Sequence, residues 1–150
     1  MHFAIVVFGN DVREQLAPYD GNIIYDEYDE KKYNSDAKWD YWTIGGRWSN
    51  YFLLKPEVVK KRGLLEKALH GKKDSFWVNT ALKKEIDWDN PKMENKIPYG
   101  FVKDGKWFDI EDFQKNWNDK KGEKEYDELY LKTLKELPED TRLTIIDIHM

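Results

Sequence analysis

One arginine in the segment Trp39-Asp-Tyr-Trp-Thr-Ile-Gly-Gly-Arg-Trp-Ser-Asn-Tyr51 stands beside two glycines and among tryptophan and tyrosine rings. Each residue type there suits an anionic, aromatic ligand. Glycine lets a backbone approach a ligand closely. The arginine fork is permanently charged and matches phosphate or carboxylate. An indole or phenol can stack on a nucleobase, which is worth about 1–3 kcal/mol per base. Gly45, Gly46, Arg47, Trp48, Trp42 and Tyr51 therefore form a candidate binding site for a small nucleotide-derived ligand. Two other uses of the same residues stay open. One is a tight structural turn whose arginine stacks on its own tryptophan, and the other is a contact with another protein. No helix follows the glycines as a phosphate-binding loop requires.

The chain ends hold a second group. Asp147 and His149 share one face of a β-rich segment, because strand side chains alternate, and His2 opens the first apolar run. Adjacent antiparallel terminal strands would bring His2 and His149 together. An Asp–His–His cluster can perform acid–base catalysis or bind a divalent metal, so His2, Asp147 and His149 are the catalytic candidates of a small hydrolase. The competing reading is three polar residues at strand ends. A metal needs a further well-placed ligand that the sequence does not single out, so neither metal nor cofactor is expected. His70, just before Gly71, suits a helix C-terminus. Ser49 and Ser75 lack a nucleophile context, and the absence of cysteine excludes disulfides and thiolate chemistry and fits a reducing cytoplasm.

A chain of 150 residues fits one domain, 1–150, with a core of useful size. Seven tryptophans and nine tyrosines exceed what such a core needs, which points to an aromatic-lined surface or a homo-oligomer interface. The net charge of −4 disfavours bulk nucleic-acid binding. Its distribution is uneven: residues 11–40 are acidic, whereas residues 55–73 are basic enough to attract an anion. No apolar run approaches the roughly 20 residues of a membrane helix, and the first eight residues read as a strand, not a signal peptide.

The elements that would position these residues follow from pattern. Residues 2–8 form a buried central strand. Asp11 caps a short helix ending at Leu16, and residues 19–38 are an acidic, tyrosine-dotted excursion in which residues 22–25 can pair as a short strand. Gly45-Gly46 fits the two positive-φ positions of a type I′ turn, predicting a hairpin over 39–52 in which Thr43 faces Trp48 and Trp42 faces Ser49. Helices are predicted over 56–69, 78–86 and 109–117, with a polar loop over 87–96. Asp104-Gly105 predicts a hairpin over 99–108. Tyr126, Leu129, Tyr130, Thr133, Leu134 and Leu137 give the 3.6-residue period of a helix over 123–137, and residues 142–149 form the last strand. The fold class is α+β, a mainly antiparallel sheet with the N- and C-terminal strands central and helices packed on one face.

The N-terminal strand, Leu16-Ala-Pro-Tyr-Asp20, Ile44-Gly-Gly-Arg-Trp48 within its hairpin, Phe101-Val-Lys-Asp-Gly-Lys-Trp-Phe108 and the C-terminal Asp-x-His strand together resemble a family of small uncharacterised proteins of bacteriophages and prophages. The resemblance spans nearly the whole chain, which is short between Asp20 and Trp39, where relatives often carry a longer charged insert. It implies a phage accessory protein in the host bacterial cytoplasm, a class that frequently counters host defence. Three functions are carried forward: sequestration of a nucleotide-derived host immune signal, inhibition of a host defence protein or nucleic-acid enzyme through the acidic tyrosine-rich surface, and hydrolysis by His2, Asp147 and His149.

Overall fold

The computed structural model describes residues 1–22, 24–25, 27–63 and 76–150. Its centre is strand β1 (His2–Phe8), whose Ile5, Val6 and Val7 are completely buried. A strand apolar on both sides must be covered on both sides, and that requirement organises the fold. The C-terminal strand β10 (Arg142–His149) runs antiparallel beside it, with His2 opposite His149 and Ala4 opposite Asp147. On the other side β1 pairs in parallel with β8 (Gly100–Lys103), which turns back antiparallel into β9 (Lys106–Asp109).

The free edge of β10 is shared by two strands. Its C-terminal half pairs with β4 (Tyr41–Ile44) and its N-terminal half with β7 (Thr80–Leu82), both antiparallel. The exchange occurs at Ile145, whose carbonyl accepts from Gly45 at 2.9 Å and whose N–H donates to the Asn79 carbonyl at 2.9 Å. The result is a mixed six-stranded sheet with both terminal strands inside it. Two short pairs lie apart from it: β2 (Ile24–Tyr25) with β3 (Lys31–Lys32), and β5 (Phe52–Leu53) with β6 (Trp77–Val78).

One face of the sheet is covered by α3 (Lys120–Glu136), which buries Tyr126, Tyr130 and Leu134 at the expected spacing against Val6, Phe8, Phe101, Leu143 and Ile145. Burying a large apolar side chain fully is worth about 1.5–3 kcal/mol. Asp119 caps α3 by accepting from the Gly122 N–H at 3.0 Å. Val59 of α2 (Pro56–Lys61) joins the same core. The opposite face carries Ile5, Val7, Val102, Ile146 and Ile148, and it is closed by Leu16 of α1 (Val12–Leu16) with partly buried Tyr19, Trp39 and Trp42. Helices therefore lie on both faces, not one, because α1 is needed to cover the second apolar side of β1.

Other expectations are corrected. Residues 39–52 do not form a hairpin: β4 pairs with β10 and β5 with β6, so Thr43 faces Asp147 and Trp42 faces Ile148. Residues 78–86 are not a helix but the end of β6, strand β7 and a 3-10 turn over Lys83–Glu85. Their apolar residues suit either period, and the open edge of β10 decides for strand. Residues 109–117 hold only a 3-10 turn over Ile110–Asp112. Asp11 does not cap the α1 backbone; its carboxylate accepts from the Gln15 amide at 3.0 Å. The predicted helix over 56–69 runs only from Pro56 to Lys61 and gives way to a turn at Arg62 and Gly63, whose φ is 70°; residues 64–69, with His70, Lys72, Lys73 and Ser75, lie outside the described residues. No helix among the described residues is long and apolar enough to cross a membrane.

Candidate functional site

The turn after β4 is made by its glycines. Gly45 and Gly46 adopt φ values of 74° and 55°, a region where an L side chain meets its own backbone. Ahead of them the edge of β10 passes to β7, so the chain cannot continue as a strand. It instead folds a 3-10 turn over Gly46–Trp48. That turn lies directly on Asp147, and any Cβ on Gly46 would run into the Asp147 carboxylate. The backbone N–H of Arg47 donates to Asp147 Oδ2 at 2.9 Å. Asn79 holds the far end of the turn by accepting from the Asn50 N–H at 2.8 Å.

Asp147 is nearly buried, and its second oxygen pairs with His2 Nδ1 at 2.8 Å. His149 has a carboxylate of its own, Asp40 Oδ1, at 2.7 Å from its Nδ1. The two imidazoles meet edge to face with ring centroids 5.0 Å apart. A carboxylate on Nδ1 fixes ring orientation and favours the tautomer with a bare Nε2. Neither Nε2 has a hydrogen-bond partner among the described residues. The strand registers place Tyr41, His149 and His2 in one row across the sheet, and Thr43, Asp147 and Ala4 in the next.

Ala4 is also part of the floor of a depression of about 310 Å³ whose walls include Arg47, Trp48, Tyr51, Lys96 and Pro98. That volume is at the small end for ligand sites. Arg47 is exposed and its guanidinium has no ion-pair partner among the described residues. Lys96 Nζ donates to the Tyr51 carbonyl at 2.7 Å and sits 4.2 Å from the Tyr51 ring centroid and 4.7 Å from that of Trp77. Burial holds the Lys96 ammonium below the usual lysine range. The Pro98 wall is fixed to α3, since Tyr126 donates to the Pro98 carbonyl at 2.7 Å.

The sequence-predicted residues thus divide. Gly45, Gly46, Arg47 and Trp48 stand together, and Asp147 joins them to His2 and His149. Trp42 lies on the opposite face of the sheet, packed with Ile5, Val7, Ile146 and Ile148, and Arg13 approaches its ring centroid at 5.8 Å. It cannot share a ligand with Trp48. The cause is the register: adjacent residues point to opposite faces, and pairing with β10 sends Trp42 to the side of Ile148. Tyr51 belongs to the core, where Phe52 meets its ring edge to face at 5.0 Å. It supplies wall and not a stacking platform. Burial pushes its phenol well above the usual tyrosine range, and the hydroxyl has no hydrogen-bond partner among the described residues.

Two contributors escape sequence reading. Lys96 sits in a loop without period, and Asp40 reads as one more acid of the excursion. The only available signal for Asp40 is its place just before the aromatic strand that borders His149. Among the described residues no group of three or more histidines and acids is arranged to hold a metal ion; here each carboxylate faces an imidazole Nδ1. Comparison of the chain with protein-family models, with curated proteins and with solved structures finds no match to any of them.

Proposed function

We propose that this protein binds a small anionic, nucleotide-derived ligand in the depression beside the Gly45–Trp48 turn. The observation that carries this reading is the meeting of two cations, Arg47 and Lys96, with the partly exposed Trp48 ring in one concavity of about 310 Å³. Arg47 grips a phosphate with its fork, Lys96 adds a partly desolvated charge, and Trp48 stacks on a base. The resemblance to phage proteins supports a host signalling nucleotide as the ligand and sequestration in the host cytoplasm as the outcome. Calorimetric titration with cyclic di- and trinucleotides and with ADP-ribose derivatives tests it. Heat with at least one of them, weakened by Arg47→Ala, supports the reading; no heat with any removes it.

A second reading, inhibition of a host defence protein, is favoured by Tyr28 and Tyr33, both largely exposed on the acidic excursion. It predicts that Tyr28→Ala with Tyr33→Ala abolishes protection of phage in infected cells while Arg47→Ala leaves protection intact. The opposite pattern favours ligand binding.

A further inference from the structure

We infer that His2 and His149 form an acid–base pair that cleaves a ribonucleoside phosphodiester lying across the depression. This rests on the binding reading above and makes cleavage, in place of sequestration, the fate of the bound ligand.

Three features of the pair go beyond what a strand end needs. Each imidazole is held at Nδ1 by its own carboxylate, Asp147 at 2.8 Å and Asp40 at 2.7 Å. Each Nε2 is left without a partner among the described residues, and the ring centroids are 5.0 Å apart. The pair is also next to the proposed ligand. His2 and Ala4 are alternate residues of one strand face, so about 6.6 Å separates the imidazole row from the depression floor at 3.3 Å per residue. A nucleotide stacked on Trp48 with a phosphate on Arg47 reaches that row with its adjoining phosphodiester. Asp147 ties the two parts together, because one oxygen orients His2 and the other accepts from the Arg47 N–H.

The nucleophile comes from the substrate. The chain has no cysteine, and the Ser49 hydroxyl of this region is engaged with the Gly46 carbonyl at 2.8 Å. Neutral His2 takes the proton of the ribose 2′-hydroxyl, and Asp147 stabilises the imidazolium that forms. The 2′-oxygen attacks phosphorus, so an O2′–P bond forms and the P–O5′ bond breaks. Protonated His149 gives its proton to the departing 5′-oxygen. The products are a 2′,3′-cyclic phosphate and a 5′-hydroxyl, one proton has been taken and one given, and no co-reactant is required. Solvent returns both histidines to their starting states.

The test uses the full chain with 3′,5′-linked diadenylate and its 2′-deoxy analogue, read by chromatography and phosphorus NMR, with calorimetry for binding. The expected result is cleavage of the ribose form to a 2′,3′-cyclic phosphate, binding without cleavage of the deoxy form, and a bell-shaped dependence of rate on pH. His2→Gln and His149→Gln should each slow cleavage about 100-fold or more while melting temperature and binding are kept. A wild-type chain that binds the ribose form and leaves it intact overturns the inference and spares the binding reading. Variants cleaving at the wild-type rate also overturn it. Cleavage unaffected by Arg47→Ala keeps the pair as catalyst and removes the depression from the site. Neither binding nor cleavage overturns both.

Discussion

Arg47 and Asp147, 100 residues apart in sequence, are joined by a backbone N–H donating to a buried carboxylate at 2.9 Å. The other oxygen of that carboxylate holds His2. The glycine turn and His2, which look unrelated in sequence, are therefore two sides of one carboxylate, and His149 joins them through its edge-to-face contact with His2. Displacing the turn must disturb the imidazole pair.

Gly46→Ala tests that coupling. The residue has φ 55°, and its Cβ would meet the Asp147 carboxylate. A left-handed conformation costs an L residue about 1–2 kcal/mol, and the collision adds to it. The variant should lose more than about 2 kcal/mol in urea denaturation, and the His2 imidazole resonances should shift with it. A stability equal to wild type would show that the turn is free to lift from Asp147.

Tyr51→Phe should move stability the other way. The Tyr51 hydroxyl is buried and has no hydrogen-bond partner among the described residues, so its removal relieves an uncompensated desolvation. A gain on the order of 1 kcal/mol is expected from the thermal midpoint, with unchanged affinity for ligand. A clear loss of stability would mean that the hydroxyl bonds to something essential.

Lys96 supplies a pH dependence. Burial lowers its folded pKa from the ordinary value of about 10.4, so between the lowered value and the ordinary one the unfolded chain holds more protons. The stabilising contribution of this group is complete above the ordinary value and is lost as pH falls through the lowered one. Anion binding has the opposite sign, because it favours the protonated amine. Affinity measured by calorimetry should fall as pH rises through that window, and Lys96→Arg, which stays charged, should flatten the profile. An affinity independent of pH in the native chain would remove Lys96 from the ligand.

The sheet was legible where a single period decides. The unbroken apolar run of β1, the Asp104-Gly105 hairpin and the stripe Tyr126–Tyr130–Leu134 each admit one reading. The Gly45-Gly46 segment admitted two, since paired positive-φ glycines serve a hairpin or a 3-10 turn. The choice was made by β7, which takes over the edge of β10 at Ile145, a competition between strands far apart in sequence. That same event removed Trp42 from the candidate site and placed the turn on Asp147. The proximity of His2 and His149 could be reasoned from strand alternation. Their separate carboxylates could not, because Asp40 reaches His149 across 109 residues.

The most direct test of the central claim is a nitrogen–proton NMR titration of the full chain with the nucleotide that gives the largest calorimetric signal. The Arg47 amide, the Trp48 indole and the imidazoles of His2 and His149 should shift together with one shared dissociation constant, while the Trp42 indole stays still. Movement of the Trp42 indole with the Arg47 and Trp48 signals unchanged would place the ligand on the opposite face of the sheet and contradict the account.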